Sequence, residues 1–169
     1  MAGQGTLADE IFTSGEGPFD RVYVAIGGGG MASAVAALLK NSWPKVKVIG
    51  VEGVDQASMK AAIKAGRPVS LDYVDVFCDG TAVTQAGHLT YEFCRELLDE
   101  IVTVTNREVS SAIKSHWDGL RVIPEPSGAM SLAGFLKQHE AGEVGPGEKV
   151  LTILCGANMD FAKFADVSR

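Results

Sequence analysis

The chain has 169 residues, of which 46% are hydrophobic and 21% charged, proportions that are ordinary for a globular domain with one core. Its 15 Lys and Arg residues against 21 Asp and Glu residues give a net charge of -6, which argues against a surface that binds nucleic acid or an anionic membrane. No apolar run approaches the roughly 18 residues of a membrane span, and with no signal peptide and only three scattered cysteines the expected location is the cytoplasm.

Apolar runs and helical periodicities alternate along the chain. Strands are predicted at 21–26, 45–51, 101–104 and 150–154, with weaker candidates at 74–77 and 121–123. Helices are predicted between them, at 31–40, 55–66, 89–99, 105–117 and 127–139. Such alternation predicts parallel strands joined by helical crossovers, with helices on both faces of the sheet. The expected fold class is therefore α/β, and residues 1–169 are expected to form a single domain.

Local signals predict how several of these elements end and which faces they bury. Asp55 and Ser127 are each expected to cap the helix that follows, while Thr105 and Glu108 form a capping box and Gly66 is a helix stop. Apolar spacing predicts buried stripes on two helices, formed by Leu89, Phe93 and Leu97 and by Val109, Ile113 and Trp117. The segment 150–154 is the most apolar strand and is expected to be the most buried.

Ligands of parallel sheets bind outside the carboxyl ends of the strands, and three loops there carry chemistry. The first is a run of four glycines, the glycine loop, formed by Gly27, Gly28, Gly29 and Gly30. Backbone N–H groups at a helix N-terminus attract an anion, and glycines carry no Cβ atoms that would hold a phosphate away. We expect the glycine loop to bind a phosphate group. The alternative is that the glycines serve only a tight turn, for which one or two would be enough.

The other two loops are less specific. The loop at 125–129 brings the Glu125 carboxylate and the Ser127 hydroxyl to the start of a helix, where an ordinary serine cap behind a proline turn is the favoured interpretation. The loop at 155–158 follows the last strand. A lone cysteine such as Cys155 is usually a small buried hydrophobe, although the nearby Asn158 makes a ligand role more plausible.

The sequence lacks the motifs of several kinds of active site, whereas a dinucleotide-binding site remains an alternative. The sequence contains neither a P-loop nor a Gly-x-Ser-x-Gly elbow. Its histidines lack the spacing of a zinc site, and His116 and His139 are expected on solvated helix surfaces. A dinucleotide site is an alternative, because Gly27, Gly29 and Ala32 fit the fingerprint Gly-x-Gly-x-x-Gly/Ala. Glu52, which ends the next strand, stands where a ribose-binding acid belongs.

Seven segments, taken in order, resemble the threonine dehydratases, which are pyridoxal-phosphate (PLP) enzymes of fold type II. The segments are AGQGT at 2–6, GGGGMA at 27–32, VIGVE at 48–52, DGTAV at 79–83, DEIVTV at 99–104, EPSGA at 125–129 and CGAN at 155–158. Their order and spacing together are highly specific, and they span nearly the whole chain. The expected fold is accordingly the large domain of fold type II PLP enzymes.

The resemblance implies that PLP is the cofactor and assigns residues to it. The glycine loop, with Met31, would hold the phosphate. Gly80 would lie beside the cofactor ring, Glu125 would line the pocket, and Cys155 would face the pyridine nitrogen. Related enzymes bind a divalent metal through a glutamate like Glu52 and a nearby aspartate. In this chain Ser58 stands near the position of that aspartate, so no metal is expected.

The chain departs from the family at the catalytic lysine. In the family, the lysine that binds PLP covalently lies in a Ser-Phe-Lys motif upstream of the Gly-Gln-Gly-Thr segment. None of the nine lysines of this chain has that context, so no catalytic residue is assigned.

The expected function follows from this departure. We expect the second half of a catalytic unit, derived from an ammonia-lyase of threonine or serine and inactive by itself, that is, a truncated pseudoenzyme. Such a half exposes apolar faces and is expected to form a homodimer or to pair with a complementary N-terminal half. The alternatives are a stand-alone module that binds a phosphate-bearing ligand or serves interaction, and an NAD-binding domain.

Overall fold

A four-stranded sheet, in which every pair of neighbouring strands is parallel, lies at the centre of the computed structural model, which describes residues 1–160. The strands are β1 (Arg21–Ala25), β2 (Lys47–Gly53), β3 (Glu100–Val104) and β4 (Val150–Thr152), in the order β3-β2-β1-β4. This sheet confirms the predicted α/β class. The single-domain prediction extends to residue 169, and its last part, 161–169, lies outside the described residues.

Helices connect the strands. In the described part of the chain they are α1 (Thr6–Thr13), α2 (Gly30–Ser42), α3 (Ser58–Ala65), α4 (His88–Leu97), α5 (Asn106–Leu120) and α6 (Pro126–Glu140). Two short 3-10 turns lie at Ala2–Gly5 and Asp79–Thr81. Helix α1 has no counterpart among the predicted elements, whereas the other five helices were expected.

The alternation of side chains along the strands divides the core into two layers. One layer packs against α1, α2, α3 and α4 and receives Val22, Val24 and Val48. The other packs against α5 and α6 and receives Tyr23, Ala25 and Ile49. Helices therefore cover both faces of the sheet, as predicted.

Three of the strand predictions are wrong in part or in whole. Residues 74–77 and 121–123 form no strand. After α5 the chain turns through Arg121, whose φ of 58° is left-handed, and this turn directs Val122 toward solvent. Strand β4 has three residues of intermediate burial because it lies at the edge of the described sheet, so apolar composition alone overstates its burial.

The predicted buried stripes are only partly correct. On α4 the buried side chains are Tyr91 and Cys94, whereas Leu89 is 63% exposed and Phe93 lies at the surface. On α5, Val109 and Ile113 are buried as predicted.

The same α5 stripe continues to His116 rather than to Trp117. His116 is 5% exposed, and its Nδ1 lies 2.9 Å from the Ala112 carbonyl oxygen, so the prediction of a solvated His116 is wrong. Trp117 is 45% exposed. Since positions 109, 113 and 116 share one face of a helix, packing selects this stripe over the more apolar one. His139, on α6, is exposed as predicted.

Helix ends follow the predicted signals in two cases out of four. Thr105 and Glu108 form the capping box, and α3 ends at Gly66, whose φ is +71°. Asp55 does not cap α3, which begins three residues later without a side-chain cap. Ser127 does not cap α6 either, because it lies inside the first turn, behind Glu125 at the N-cap and Pro126.

Within residues 1–160, no helix combines the length and the apolar character needed to cross a membrane.

Candidate functional site

A cleft of about 380 Å³ lies beyond the carboxyl end of β1. Its lining includes every residue that the sequence assigns to the cofactor, namely Gly27, Gly28, Gly29, Gly30, Met31, Gly80, Glu125 and Cys155. The other lining residues are Gln4, Ala25, Thr81, Ser127 and Gly156. Five segments that are distant in sequence therefore meet at this cleft.

The glycine loop forms one wall of the cleft, between β1 and the first turn of α2. Gly29 has a φ of +90°, and a Cβ atom there would lie 2.6 Å from Met59 and 2.9 Å from Thr90, so only glycine fits. At Gly28 and Gly30, by contrast, a Cβ atom would meet nothing within 4 Å. The loop is thus packed on one side and open on the other. The first N–H groups of α2, a helix of 13 residues, lack partners within the helix and suit an anion such as a phosphate.

The packed side of the loop is held by the start of α4. The Thr90 hydroxyl donates to the Gly28 carbonyl oxygen at 2.5 Å, and the Gly87 N–H donates to the same oxygen at 3.3 Å. A free carbonyl oxygen at Gly28 would repel an anion. These two bonds hold it against α4 instead. Sequence reasoning missed Thr90, since nothing in its local pattern relates it to a loop 62 residues away.

The opposite wall is formed by Glu125, Gly80 and the segment after β4. A Cβ atom on Gly80 would lie 2.8 Å from the Glu125 carboxylate, and one on Gly156 would lie 2.4 Å from it. The Asn158 N–H donates to this carboxylate at 3.0 Å, and the Glu125 N–H donates to the Gly156 carbonyl oxygen at 3.1 Å. The two glycines therefore let a carboxylate lie against the backbone at the edge of the cleft.

Cys155 adds a thiol to the same wall. Burial, and to a lesser extent the Glu125 carboxylate, raise the pKa of this thiol. Cys155 is therefore a neutral S–H group near pH 7. It is also free of any disulfide.

Ser127, interpreted from sequence as an ordinary cap, lies in the first turn of α6 and lines the cleft. Its hydroxyl is buried and has no hydrogen-bond partner among residues 1–160. A buried polar group of this kind needs a partner, and no signal in the sequence distinguishes this serine from a cap.

The acid on which the dinucleotide alternative depends points away from the cleft. Glu52 is fully buried and does not line the cleft. Its Oε1 accepts the Met59 N–H at 2.8 Å and its Oε2 accepts the Lys60 N–H at 2.9 Å. Glu52 thus anchors the first turn of α3, the role predicted for Asp55, and is not available to a ribose. Among residues 1–160, no three His, Cys, Asp or Glu side chains are grouped as metal ligands.

The buried Glu52 predicts a specific pH dependence of stability. Burial raises its pKa from 4.5 to about 7, although the two N–H donors oppose this. Between these values the folded state holds more protons than the unfolded state, so the contribution of Glu52 to stability falls as the pH rises from 4.5 to 7. In urea unfolding at several pH values, Glu52→Gln should lose this part of the pH slope. Glu10→Gln, at an exposed position, should keep it, and equal slopes in all three proteins would contradict the prediction.

Comparison with known proteins identifies the family to which this chain belongs. The family model described as "Pyridoxal-phosphate dependent enzyme" matches residues 1–156. The chain belongs to this family. PLP, the cofactor predicted from the sequence, is the cofactor after which the family is named, and the predicted resemblance to threonine dehydratases is confirmed by the relatives.

Two curated relatives are biosynthetic L-threonine dehydratases. The one from Escherichia coli is 45% identical over 161 residues, which cover 95% of this chain and 31% of the relative. The one from Pasteurella multocida is 41% identical over 171 residues, which cover 99% of this chain and 32% of the relative. The chain thus spans about a third of the length of these curated relatives.

Solved structures show the same fold. The processed form of threonine deaminase isoform 2 from Solanum lycopersicum superposes with a TM-score of 0.94 at 40% identity, over 98% of this chain and 48% of that one. Maize serine racemase superposes with a TM-score of 0.87 at 28% identity, over 97% of this chain and 52% of that one. The sheet and its helices are therefore those of fold type II PLP enzymes, as predicted.

Proposed function

We propose that the cleft binds PLP, with the phosphate on the glycine loop and the ring toward Glu125 and Cys155. The observation that carries this proposal is the loop itself. Its positive-φ glycine is packed against Met59 and Thr90, while Gly28 and Gly30 leave the side facing the α2 N-terminus open. An anion such as a phosphate, which backbone N–H groups can bind without side chains, fits this open side of the glycine loop.

Each wall would do a different task. The N–H groups at the start of α2 would bind the phosphate and orient the molecule. The Cys155 thiol, whose pKa is raised, would hold its proton and meet the ring as a neutral group. When bound, PLP supplies an electron sink for negative charge on the α-carbon of an amino acid.

The described residues do not complete a catalytic site. Covalent PLP chemistry needs a lysine amine beside the cofactor, and no lysine among residues 1–160 lines the cleft. We therefore propose that this part of the chain holds PLP without a covalent bond and is inactive alone. Elimination of the hydroxyl of threonine, the activity that the relatives' names suggest, or of serine would require a lysine supplied from outside the described cleft.

Ligand titration tests this proposal. We expect the protein to bind PLP saturably and to bind pyridoxal, which lacks the phosphate, at least about 10-fold more weakly, since charged hydrogen bonds are lost. Borohydride reduction followed by mass spectrometry should find no single lysine modified in proportion to binding. If the protein does not bind PLP, the proposed cofactor is wrong. If one lysine is modified stoichiometrically, the proposal of non-covalent binding is wrong.

The same titration distinguishes the alternative of a stand-alone phosphate-binding module. Inorganic phosphate is the probe for this alternative. If phosphate binds as tightly as PLP, the ring contributes nothing, and the module is favoured over the cofactor site. We expect PLP to bind more tightly, because Gly80, Glu125 and Cys155 form a second wall that phosphate alone cannot reach.

We also propose that the chain associates with a second copy or with a complementary N-terminal half in the cytoplasm. Several large apolar side chains are exposed on the described surface, among them Tyr73, Val76 and Leu89. The three cysteines are free, which suits a reducing compartment, and the net charge of -6 disfavours nucleic acid as a partner. A monomer in sedimentation velocity would contradict the homodimer.

A further inference from the structure

The hydroxyl of Ser127 has a position that packing within the protein does not explain. Ser127 is 4% exposed, and its Oγ is among the four buried side-chain polar atoms of the described residues that lack a hydrogen-bond partner. The other three belong to Ser58, Tyr91 and Ser131. Of the four, Ser127 is the one whose residue lines the cleft. A buried hydroxyl without a partner is unfavourable, so its presence at a binding surface points to a partner that arrives with the ligand.

The neighbours of Ser127 place this buried hydroxyl at the wall of the cleft. A Cβ atom on Gly80 would lie 2.9 Å from the Ser127 Oγ, so a side chain at position 80 would occupy the space in front of it. On the other side, Gly128 lies so close to the Cys155 carbonyl oxygen that a Cβ atom would approach it to 1.9 Å. Ser127 is thus held between Gly80 and the segment that carries Cys155.

Charge at this end of the cleft favours an uncharged partner. Ser127 lies in the first turn of α6, a helix of 15 residues, whose unpaired N–H groups favour negative charge. The Glu125 carboxylate, at the N-cap of the same helix, already supplies that charge. A second anion here would be repelled, whereas the glycine loop is open to one. The hydroxyl therefore suits a neutral acceptor on the ring of the ligand rather than its phosphate.

We propose that Ser127 binds the heteroaromatic ring of the ligand, donating its hydroxyl proton to an acceptor atom of the ring beside Cys155. This inference rests on the proposed binding of PLP. Ser127 would then contribute to the affinity for the ring of the ligand, whereas the glycine loop contributes to the affinity for its phosphate.

The variant Ser127→Ala tests this role through two measurements on the same protein. Thermal unfolding of the ligand-free variant should show a Tm equal to or above that of the unmodified chain, since an unpartnered hydroxyl is removed. Its affinity for PLP and for pyridoxal should fall by about 5- to 20-fold, the effect of one lost hydrogen bond, while its affinity for inorganic phosphate stays unchanged. Ser131→Ala is the matched control, because Ser131 lies on the same helix with an equally unpartnered hydroxyl but outside the cleft. It should leave all three affinities unchanged.

Other results would distinguish failure of the proposed PLP binding from failure of the role proposed for Ser127. If the unmodified chain binds no PLP, the proposed function fails, and this inference fails with it. If the unmodified chain binds PLP and Ser127→Ala binds it as tightly, only the role of Ser127 is overturned. A lower Tm of ligand-free Ser127→Ala, or an equal loss of phosphate affinity, would show that the hydroxyl supports the fold and would also overturn its role at the ring.

Discussion

Replacing Gly28 by aspartate should abolish PLP binding while leaving the protein folded. A Cβ atom at Gly28 meets nothing within 4 Å, and the φ of this glycine is not in the left-handed region, so the backbone accepts a side chain. The new carboxylate would stand at the N-terminus of α2, where the phosphate is proposed to bind. Two like charges about 4 Å apart repel each other by roughly 4 kcal/mol at an effective dielectric constant near 20, so we expect affinity to fall by at least about 100-fold.

The stability of Gly28→Asp should stay close to that of the unmodified chain, since a negative charge near a helix N-terminus is favourable by about 0.3–1 kcal/mol. Isothermal titration with PLP and urea unfolding measure the two quantities separately. Gly119→Asp is the control for charge alone, because Gly119 also has nothing within 4 Å of its Cβ position and lies on α5, outside the cleft. Undiminished PLP affinity in Gly28→Asp would contradict the placement of the phosphate.

Replacing Gly128 by alanine should strongly destabilise the protein. A Cβ atom there would lie 1.9 Å from the Cys155 carbonyl oxygen and 2.8 Å from that of Gly156. Both contacts are with backbone, so no side-chain rotation relieves them, and α6 must separate from the segment after β4. Overpacking of a buried site costs about 1–3 kcal/mol and occasionally more, and this position, with backbone on the opposing side, should lie at the upper end.

Urea unfolding of Gly128→Ala, beside Gly119→Ala, measures this cost. At Gly119 the added methyl group has free space within a helix, so alanine should stabilise the protein by about 0.5–1 kcal/mol. The two identical substitutions should therefore shift stability in opposite directions. If Gly128→Ala is as stable as the unmodified chain, α6 can move away from residues 155–156 without cost, and the second wall of the cleft is not rigid.

Much of the candidate site could be predicted from the sequence, because the glycine loop and Cys155 lie beyond the carboxyl ends of strands β1 and β4. Parallel topology brings such loops together whatever their distance along the chain. The resemblance to the threonine dehydratases adds Gly80, and Gly27, Gly80, Glu125 and Cys155 do line one cleft. Their roles toward PLP stay predictions until the titrations are made.

Other features depend on partners that local patterns do not reveal. Thr90 holds the glycine loop from a helix 62 residues away, and Glu52 anchors α3 through two backbone N–H groups. Asp55 and Ser127 carry good capping side chains, but the helices begin at other positions and neither side chain caps them. Apolar spacing favours Leu89 on α4, yet Tyr91 and Cys94 are the residues that the helix buries.

By itself, the sequence determined the alternation of strands and helices, the run of four glycines, and the resemblance to a PLP family, because these depend on residue types and spacing along the chain. The tertiary structure alone decided which helix faces are buried and which carboxylate anchors α3. It also decided that Ser127 lines the cleft without a hydrogen-bond partner in the described part of the chain. The physical reason is that each of these depends on contacts between segments that are far apart in the chain. Burial and hydrogen bonding are properties of such contacts, whereas periodicity is a property of a single segment.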